Sequence, residues 1–242
     1  MITKSKLKLF KSLNRKKNRD AHQLFMVEGY KSIKELIHSG INATDLFITD
    51  GNHYLDDLDP ALITSKEMNT LSNFKTPPGY LAVFKMPEKQ ELPTTGKIIA
   101  LDDIKDPGNL GTIIRLADWF GIKHIVCSHE TVDVFNYKCV QASMASLARV
   151  QIHYTDLVSY VETTSLPVFP TLMNGTSIYE TQLPQNAIII MGNESHGIHN
   201  NLLQKGTPIS IPQYGEQQKT ESLNVAMATS LILGEWLRST SL

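Results

Sequence analysis

The 242-residue chain is 41% hydrophobic and 19% charged, with a net charge of −1, the composition of an ordinary globular protein with room for one large domain or two small ones. No apolar run approaches the roughly 20 residues that cross a bilayer, and no apolar segment with a cleavage site follows the basic N-terminus, so neither a membrane helix nor a signal peptide is expected. Cys127 and Cys139 lack metal-ligand spacing and read as reduced core residues of a cytoplasmic protein, a catalytic cysteine being the alternative. The eight histidines also lack ligand spacing, so no metal is expected.

Charge is unevenly placed. Lys4, Lys6, Lys8, Lys11, Arg15, Lys16, Lys17 and Arg19 fall in the first 19 residues, which hold no acid. Such an arm suits a polyanion such as phosphate, or is simply a solvated terminal helix.

Taken in order, residues 4–13 fit a helix with Leu7, Phe10 and Leu13 on one side, and Asn14 to Asp20 a charged turn. Leu24 to Val27 is a strand, and residues 30–38 a helix stopped by Gly40. Leu46 to Ile48 and Leu62 to Thr64 are short strands, Ser65 to Leu71 a helix, and Tyr80 to Phe84 a strand. This is a small α/β unit over residues 1–86. Phe10, Phe25 and Tyr30 pack in its core or stack on bases. The polar segment 87–96 is a linker.

A second domain, 97–242, opens with the buried strand Ile98 to Leu101. The loop Asp102 to Gly111 leads to a helix from about Thr112 to Phe120. His124 to Cys127 is a strand, 137–148 a helix, and Gln151 to His153, Pro167 to Thr171, Ala187 to Met191 and Ile209 to Ile211 further strands. The alternation implies a largely parallel sheet covered on both faces. The stretch Leu223 to Leu237 is a helix apolar on nearly every side, hence buried all round or set in a subunit interface, with Ser222 or Thr220 as its cap.

Ligands bind beyond the carboxyl ends of strands in such sheets. Three loops lie there: Asp102 to Gly111, Gly192 to Gly197, and Gln213 to Ser222. The first carries neither a Walker lysine nor G-x-G-x-x-G, which disfavours a nucleotide-phosphate cradle or a dinucleotide-dependent dehydrogenase.

The residues Asp106-Pro107-Gly108-Asn109-Leu110-Gly111-Thr112-Ile113-Ile114-Arg115, then Gly192-Asn193-Glu194-Ser195-His196-Gly197, then Ile211-Pro212 with Ser222-Leu223-Asn224-Val225 resemble the three motifs of the SpoU (TrmH-type) RNA 2′-O-ribose methyltransferases of the SPOUT superfamily. They span about 145 residues in the family's order and spacing. The N-terminal domain, with Phe25-Met26-Val27-Glu28-Gly29, resembles the family's small RNA-binding domain of ribosomal-protein type.

The resemblance implies an α/β fold with a trefoil-knotted, parallel-sheet catalytic domain, S-adenosylmethionine as methyl donor, and a homodimer formed through the catalytic domain. It implies that backbone at Gly192, Ile211 and Leu223 holds the cofactor, with Met191 and Leu172 beside the adenine. By motif position, Arg115 activates or orients the ribose hydroxyl, and Asn109, Glu194, Ser222 and Asn224 position it. Ser195 and His196 occupy variable positions with no expected catalytic role. Lys16, Lys17, Arg19 and Arg115 are the expected RNA contacts. The appended domain favours ribosomal over transfer RNA; a noncatalytic ribosome-assembly factor retaining the fold is the alternative of another class. The loop from Gly215 to Ser222 is about three residues longer than usual in the family, and Ala145 stands where glycine is more usual.

Overall fold

The computed structural model describes residues 2–51, 55–214 and 222–240. The chain divides into two compact units, 1–88 with 133–148, and 89–132 with 149–242.

In the first unit, α1 (Lys4–Ser12) is capped by Thr3, whose hydroxyl accepts from the Lys6 amide, and it buries Phe10. A second helix, α2 (Lys16–His22), replaces the expected turn. Its lysines, arginine and alanine are good helix formers, but its one buried residue is Arg19, so it lacks the apolar period that would reveal it. Next come β1 (Leu24–Glu28), α3 (Tyr30–His38), β2 (Ala43–Ile48), β3 (Ala61–Leu62), α4 (Ser65–Leu71) and β4 (Tyr80–Lys85). A reciprocal Thr64–Glu67 capping box starts α4.

The sheet order is β1-β4-β2-β3. β4 is antiparallel to both neighbours, and β3 is parallel to β2. Alternation along β1 sends Met26 into a core with Phe10, Leu13, Phe47, Met68 and Leu81. On the opposite face Phe25 stacks on Phe84, and Phe135 of the returning segment lies 4.6 Å from the Phe25 ring. Phe10 and Phe25 are therefore core residues and not base platforms.

The second unit is built on β5 (Lys97–Leu101), α5 (Pro107–Trp119), β6 (His124–Ser128), β7 (Gln151–Thr155), α7 (Leu157–Thr163), β8 (Val168–Ser177), β9 (Ala187–Met191), α8 (Asn200–Leu203), β10 (Ile209–Ser210) and α9 (Val225–Thr240); α6 (Tyr137–Ser143) belongs to the first unit. Six parallel strands run in the order β10-β8-β9-β5-β6-β7. Ile98, Ile99, Ile188, Ile189 and Ile190 are buried whichever face they point to, as a doubly covered sheet requires.

Several boundaries differ from expectation. α5 starts five residues early, because Asp106 caps it and Pro107 opens its first turn; proline's missing N–H costs nothing there. α6 stops at Ser143, since Met144 and Ala145 take positive φ of 49° and 65°, a conformation open to glycine but costly for other residues. β8 continues to Ser177. At α9, Asn224 is the cap: its Oδ1 accepts from the amides of Ala226 at 3.0 Å and Met227 at 3.3 Å. Thr220 and the longer Gly215 to Ser222 loop, up to Glu221, lie outside the described residues. Nor is α9 buried all round. Ala226, Thr229, Ile232, Leu233 and Trp236 are buried, whereas Met227 and Leu231 are exposed.

Candidate functional site

Adjacent strands β5 and β9 end together, with Leu101 opposite Met191. Each releases a loop at the same edge. From β5, Asp102 and Asp103 lead to Asp106, whose Oδ1 accepts from the Asn109 amide at 2.8 Å and sets the first turn of α5. From β9, Gly192 enters a tight turn in which Asn193 and Gly197 exchange backbone hydrogen bonds at 3.0 Å. Asn193 braces that turn from inside, accepting from the Ser195 amide at 2.7 Å and donating to the Asp103 carbonyl at 2.7 Å.

Three of the expected site residues meet here. Asn109 Nδ2 donates to Glu194 Oε1 at 2.5 Å, and Asn224 Nδ2 donates to Asn109 Oδ1 at 3.0 Å. The three motif segments are thus tied by one chain of polar side chains. Because the Asn109 carboxamide is engaged through both its ends, its orientation is fixed. Arg115 lies nearly two turns further along α5, exposed, and among the described residues no hydrogen bond or ion pair engages its guanidinium. Ser222 is exposed and lies two residues before the Asn224 cap. The hydrogen-bonded chain includes neither Arg115 nor Ser222.

Of the expected cofactor residues, Met191, Gly192 and Ile211 lie at strand ends, Leu172 lies within β8, and Leu223 lies just before α9. Met191 closes β9 and is buried, Gly192 follows it, Leu172 is half-buried on β8, Ile211 follows β10, and Leu223 is exposed. A Cβ on Gly192 would lie 2.5 Å from the Gly197 carbonyl carbon and 2.6 Å from the Ile198 nitrogen. Only glycine allows that close backbone approach. Aliphatic side chains around bare backbone, with no lysine or arginine among these five, suit an adenine read by backbone groups. They do not suit a nucleotide's phosphates, and S-adenosylmethionine has none.

A second set of contacts was not foreseen. The buried Asp102 carboxylate accepts from the His199 amide at 2.8 Å and from His199 Nδ1 at 2.9 Å. This pairing raises the imidazole pKa above its ordinary value. Asp103, also buried, takes His196 Nε2 at 3.0 Å and pairs with Lys105. An acidic pair just after a buried strand, and two histidines three residues apart in a motif loop, were the visible signals.

The expected RNA contacts separate. Lys16 and Lys17 are exposed. Arg19 is buried: Nε donates to Asp133 Oδ2 at 3.1 Å, Nη2 pairs with the same oxygen, and Nη1 donates to the Leu13 carbonyl at 2.8 Å. Its charge is committed inside the first unit and faces no solvent phosphate. Both cysteines are buried, and burial pushes the Cys127 thiol up, which disfavours Cys127 as a reactive thiolate. Among the described residues no group of three or more His, Cys, Asp or Glu could hold a metal ion, and no helix is long and apolar enough to cross a membrane.

A six-stranded parallel sheet with an Asn–Glu–Asn chain joining three distant segments beside the ends of β5 and β9 fits a group-transfer domain of the SPOUT type. Residues 96–234 match the SpoU rRNA Methylase family, and residues 4–82 match the MRM3-like substrate binding domain. The chain belongs to the SpoU rRNA methylase family, and its trefoil knot is inferred from that membership. The 23S rRNA (guanosine(2553)-2′-O)-methyltransferase RlmP of Bacillus subtilis is 31% identical over 237 residues, 94% of each chain. Among solved structures, a TrmH-family protein from Porphyromonas gingivalis superposes with a TM-score of 0.90 at 34% identity, covering 99% of this chain and 100% of that one. The AdoMet-bound rRNA methyltransferase from Sinorhizobium meliloti does so at 0.86 and 25% identity, covering 98% and 96%.

Proposed function

We propose that this chain transfers a methyl group from S-adenosylmethionine to a ribose 2′-hydroxyl of ribosomal RNA. The observation that carries this is the Glu194–Asn109–Asn224 chain of hydrogen bonds, which unites three segments distant in sequence at one strand-end edge. When bound, S-adenosylmethionine supplies an electrophilic methyl on a sulfonium. Everything else falls to the protein's own groups.

Backbone at Gly192, Ile211 and Leu223 would hold the cofactor, with Met191 and Leu172 beside the adenine. Arg115 would contact the ribose and its neighbouring phosphate. A guanidinium is a very weak acid, so Arg115 would act on the weakly acidic hydroxyl by orienting and polarising it, or as a base only with phosphate assistance. Asn109, held from both sides, and Ser222 would fix the RNA's approach. Alignment of hydroxyl and methyl, without a covalent intermediate, supplies most of the acceleration.

Residues 1–86 would hold the RNA, with Lys16 and Lys17 contributing phosphate contacts, and residues 97–242 would carry the reaction. The exposed Met227 and Leu231 share a face of α9, which supports homodimerisation through the catalytic domain. Two reduced, fully buried thiols fit a cytoplasmic protein.

The test is transfer of labelled methyl to purified ribosomal and transfer RNAs, with Arg115→Ala alongside. Label on a ribose of ribosomal RNA, absent with the variant while cofactor still binds, is the expected result. Label on transfer RNA alone would move the substrate. No label on naked RNA or ribosomal particles, despite cofactor binding, would favour the assembly-factor reading.

A further inference from the structure

His196 and His199 lie in the turn that carries Glu194, and both reach back to the β5 loop. His199 bonds Asp102 through its amide and its ring, while His196 bonds Asp103, which also holds Lys105. These contacts bridge 97 and 93 residues. The two imidazoles meet edge to face at 5.3 Å between centroids. Neither carboxylate can turn to water: Asp102 is 2% exposed and Asp103 7%. Asp103 moreover holds a left-handed φ of 59°, a conformation kept by the groups around it. Asn193, inside the same turn, donates to the Asp103 carbonyl. The β9 turn is therefore fastened to the β5 loop at three points, and the fastened turn is what presents Glu194 to Asn109 and Gly192 to the cofactor edge.

We propose that His199 and His196, acting through Asp102 and Asp103, are positioning residues that lock the Gly192–His199 turn in its cofactor-binding conformation, a lock that loosens as the His199 imidazolium loses its proton. The inference rests on the reading of this edge as the S-adenosylmethionine site. The charged groups facing His199 are Asp102, Asp103 and Glu130, all acidic, with the His196 ring as neighbour and Lys105 beyond Asp103. They favour the imidazolium, so the lock holds below the ordinary histidine pKa and weakens as pH rises through the raised one. A neutral ring protonated on Nδ1 still donates to Asp102, and both rings are half-exposed, so the change is partial.

Calorimetric titration of the full chain with S-adenosylmethionine from about pH 6 to about pH 9 tests this. The ligand's own α-amino group titrates in that range, so the comparison between proteins carries the result. We expect wild-type affinity to fall across the range by a further three- to tenfold, roughly, relative to His199→Gln, which keeps a donor for Asp102 but no titratable charge. Asp103→Asn, whose asparagine tolerates the left-handed backbone but loses the ion pair to Lys105, should bind about threefold more weakly than wild type. A His199→Gln profile parallel to wild type, with wild-type affinity in Asp103→Asn and both variants folded by circular dichroism, overturns the inference alone. Wild type that binds no S-adenosylmethionine at any pH removes the functional reading and this inference with it.

Discussion

Asn224 and Asn109, 115 residues apart, are joined by a 3.0 Å hydrogen bond from the Nδ2 of the first to the Oδ1 of the second. Asn224 thereby holds two positions at once, since its own Oδ1 caps α9. The two jobs use opposite ends of one carboxamide and can be separated. Asn224→Asp keeps an oxygen for the cap and loses the donor to Asn109. Thermal stability should stay near wild type, while methyl transfer falls by about tenfold or more as Asn109 loses one of its two anchors. Asn224→Ala removes both contacts and should also destabilise by about 1 kcal/mol. Wild-type turnover by Asn224→Asp in a single-turnover assay would detach Asn109 from the reaction.

Gly192 tests the cofactor edge by sterics. A methyl group there meets the backbone of Gly197 and Ile198, with no flexible side-chain end to yield except Ile198 Cγ1. The turn must open, displacing Glu194. Gly192→Ala should weaken S-adenosylmethionine binding by about tenfold or more and cost roughly 1–3 kcal/mol of stability, as an overpacked site does. Calorimetry and thermal unfolding on one preparation would measure both, and unaltered affinity would place the cofactor elsewhere.

The local elements were legible where a period and a punctuation mark coincided. Ile33 and Leu36 ahead of Gly40 marked α3. The failures share a cause, which is that the deciding partner lies far along the chain. α2 buries an arginine stem against Asp133, 114 residues on, and nothing local distinguishes that arginine from the solvated cations around it. The break after Ser143 falls on Met144 and Ala145, neither of which announces a left-handed backbone; the resemblance that marked position 145 as usually glycine was the one available clue. Asn109, Glu194 and Asn224 were read through motif resemblance, whereas Asp102–His199 depends on β5 and β9 being neighbours, a pairing no short pattern encodes.

Arg19 and Asp133 form an ion pair whose side chains are only 6% and 11% exposed. Removing one partner strands the other charge out of water. Asp133→Ala should therefore cost about 3–5 kcal/mol, and replacement of both by apolar residues of similar volume far less. The RNA expectation separates along the same line. Charge reversal at Lys16 and Lys17 should weaken RNA binding and lower its salt slope, while Arg19→Met should act on unfolding and leave the slope unchanged. A salt slope that falls equally with Arg19→Met would return that residue to the RNA surface.

On β6 and β7, His124 and His153 place Nδ1 and Nε2 3.3 Å apart. Burial lowers both pKa values, and His124 lowers that of His153 further. The folded state therefore binds protons less readily than the unfolded chain at these two rings. Their contribution to stability is complete above the ordinary histidine pKa, about 6.5, and is lost as pH falls from there through the depressed folded values. His199 acts in the opposite sense. Its raised pKa stabilises below about 6.5, and that contribution disappears as pH rises through the folded value. The two effects oppose each other in the wild type, so they should be separated by substitution. In a His199→Gln background the unfolding temperature should fall more steeply on acidification from about pH 7.5 to about pH 5 than in wild type. Adding His153→Gln, which cannot titrate, should flatten that fall. An acid slope indifferent to His153→Gln would show that the buried pair does not set the chain's tolerance of acid.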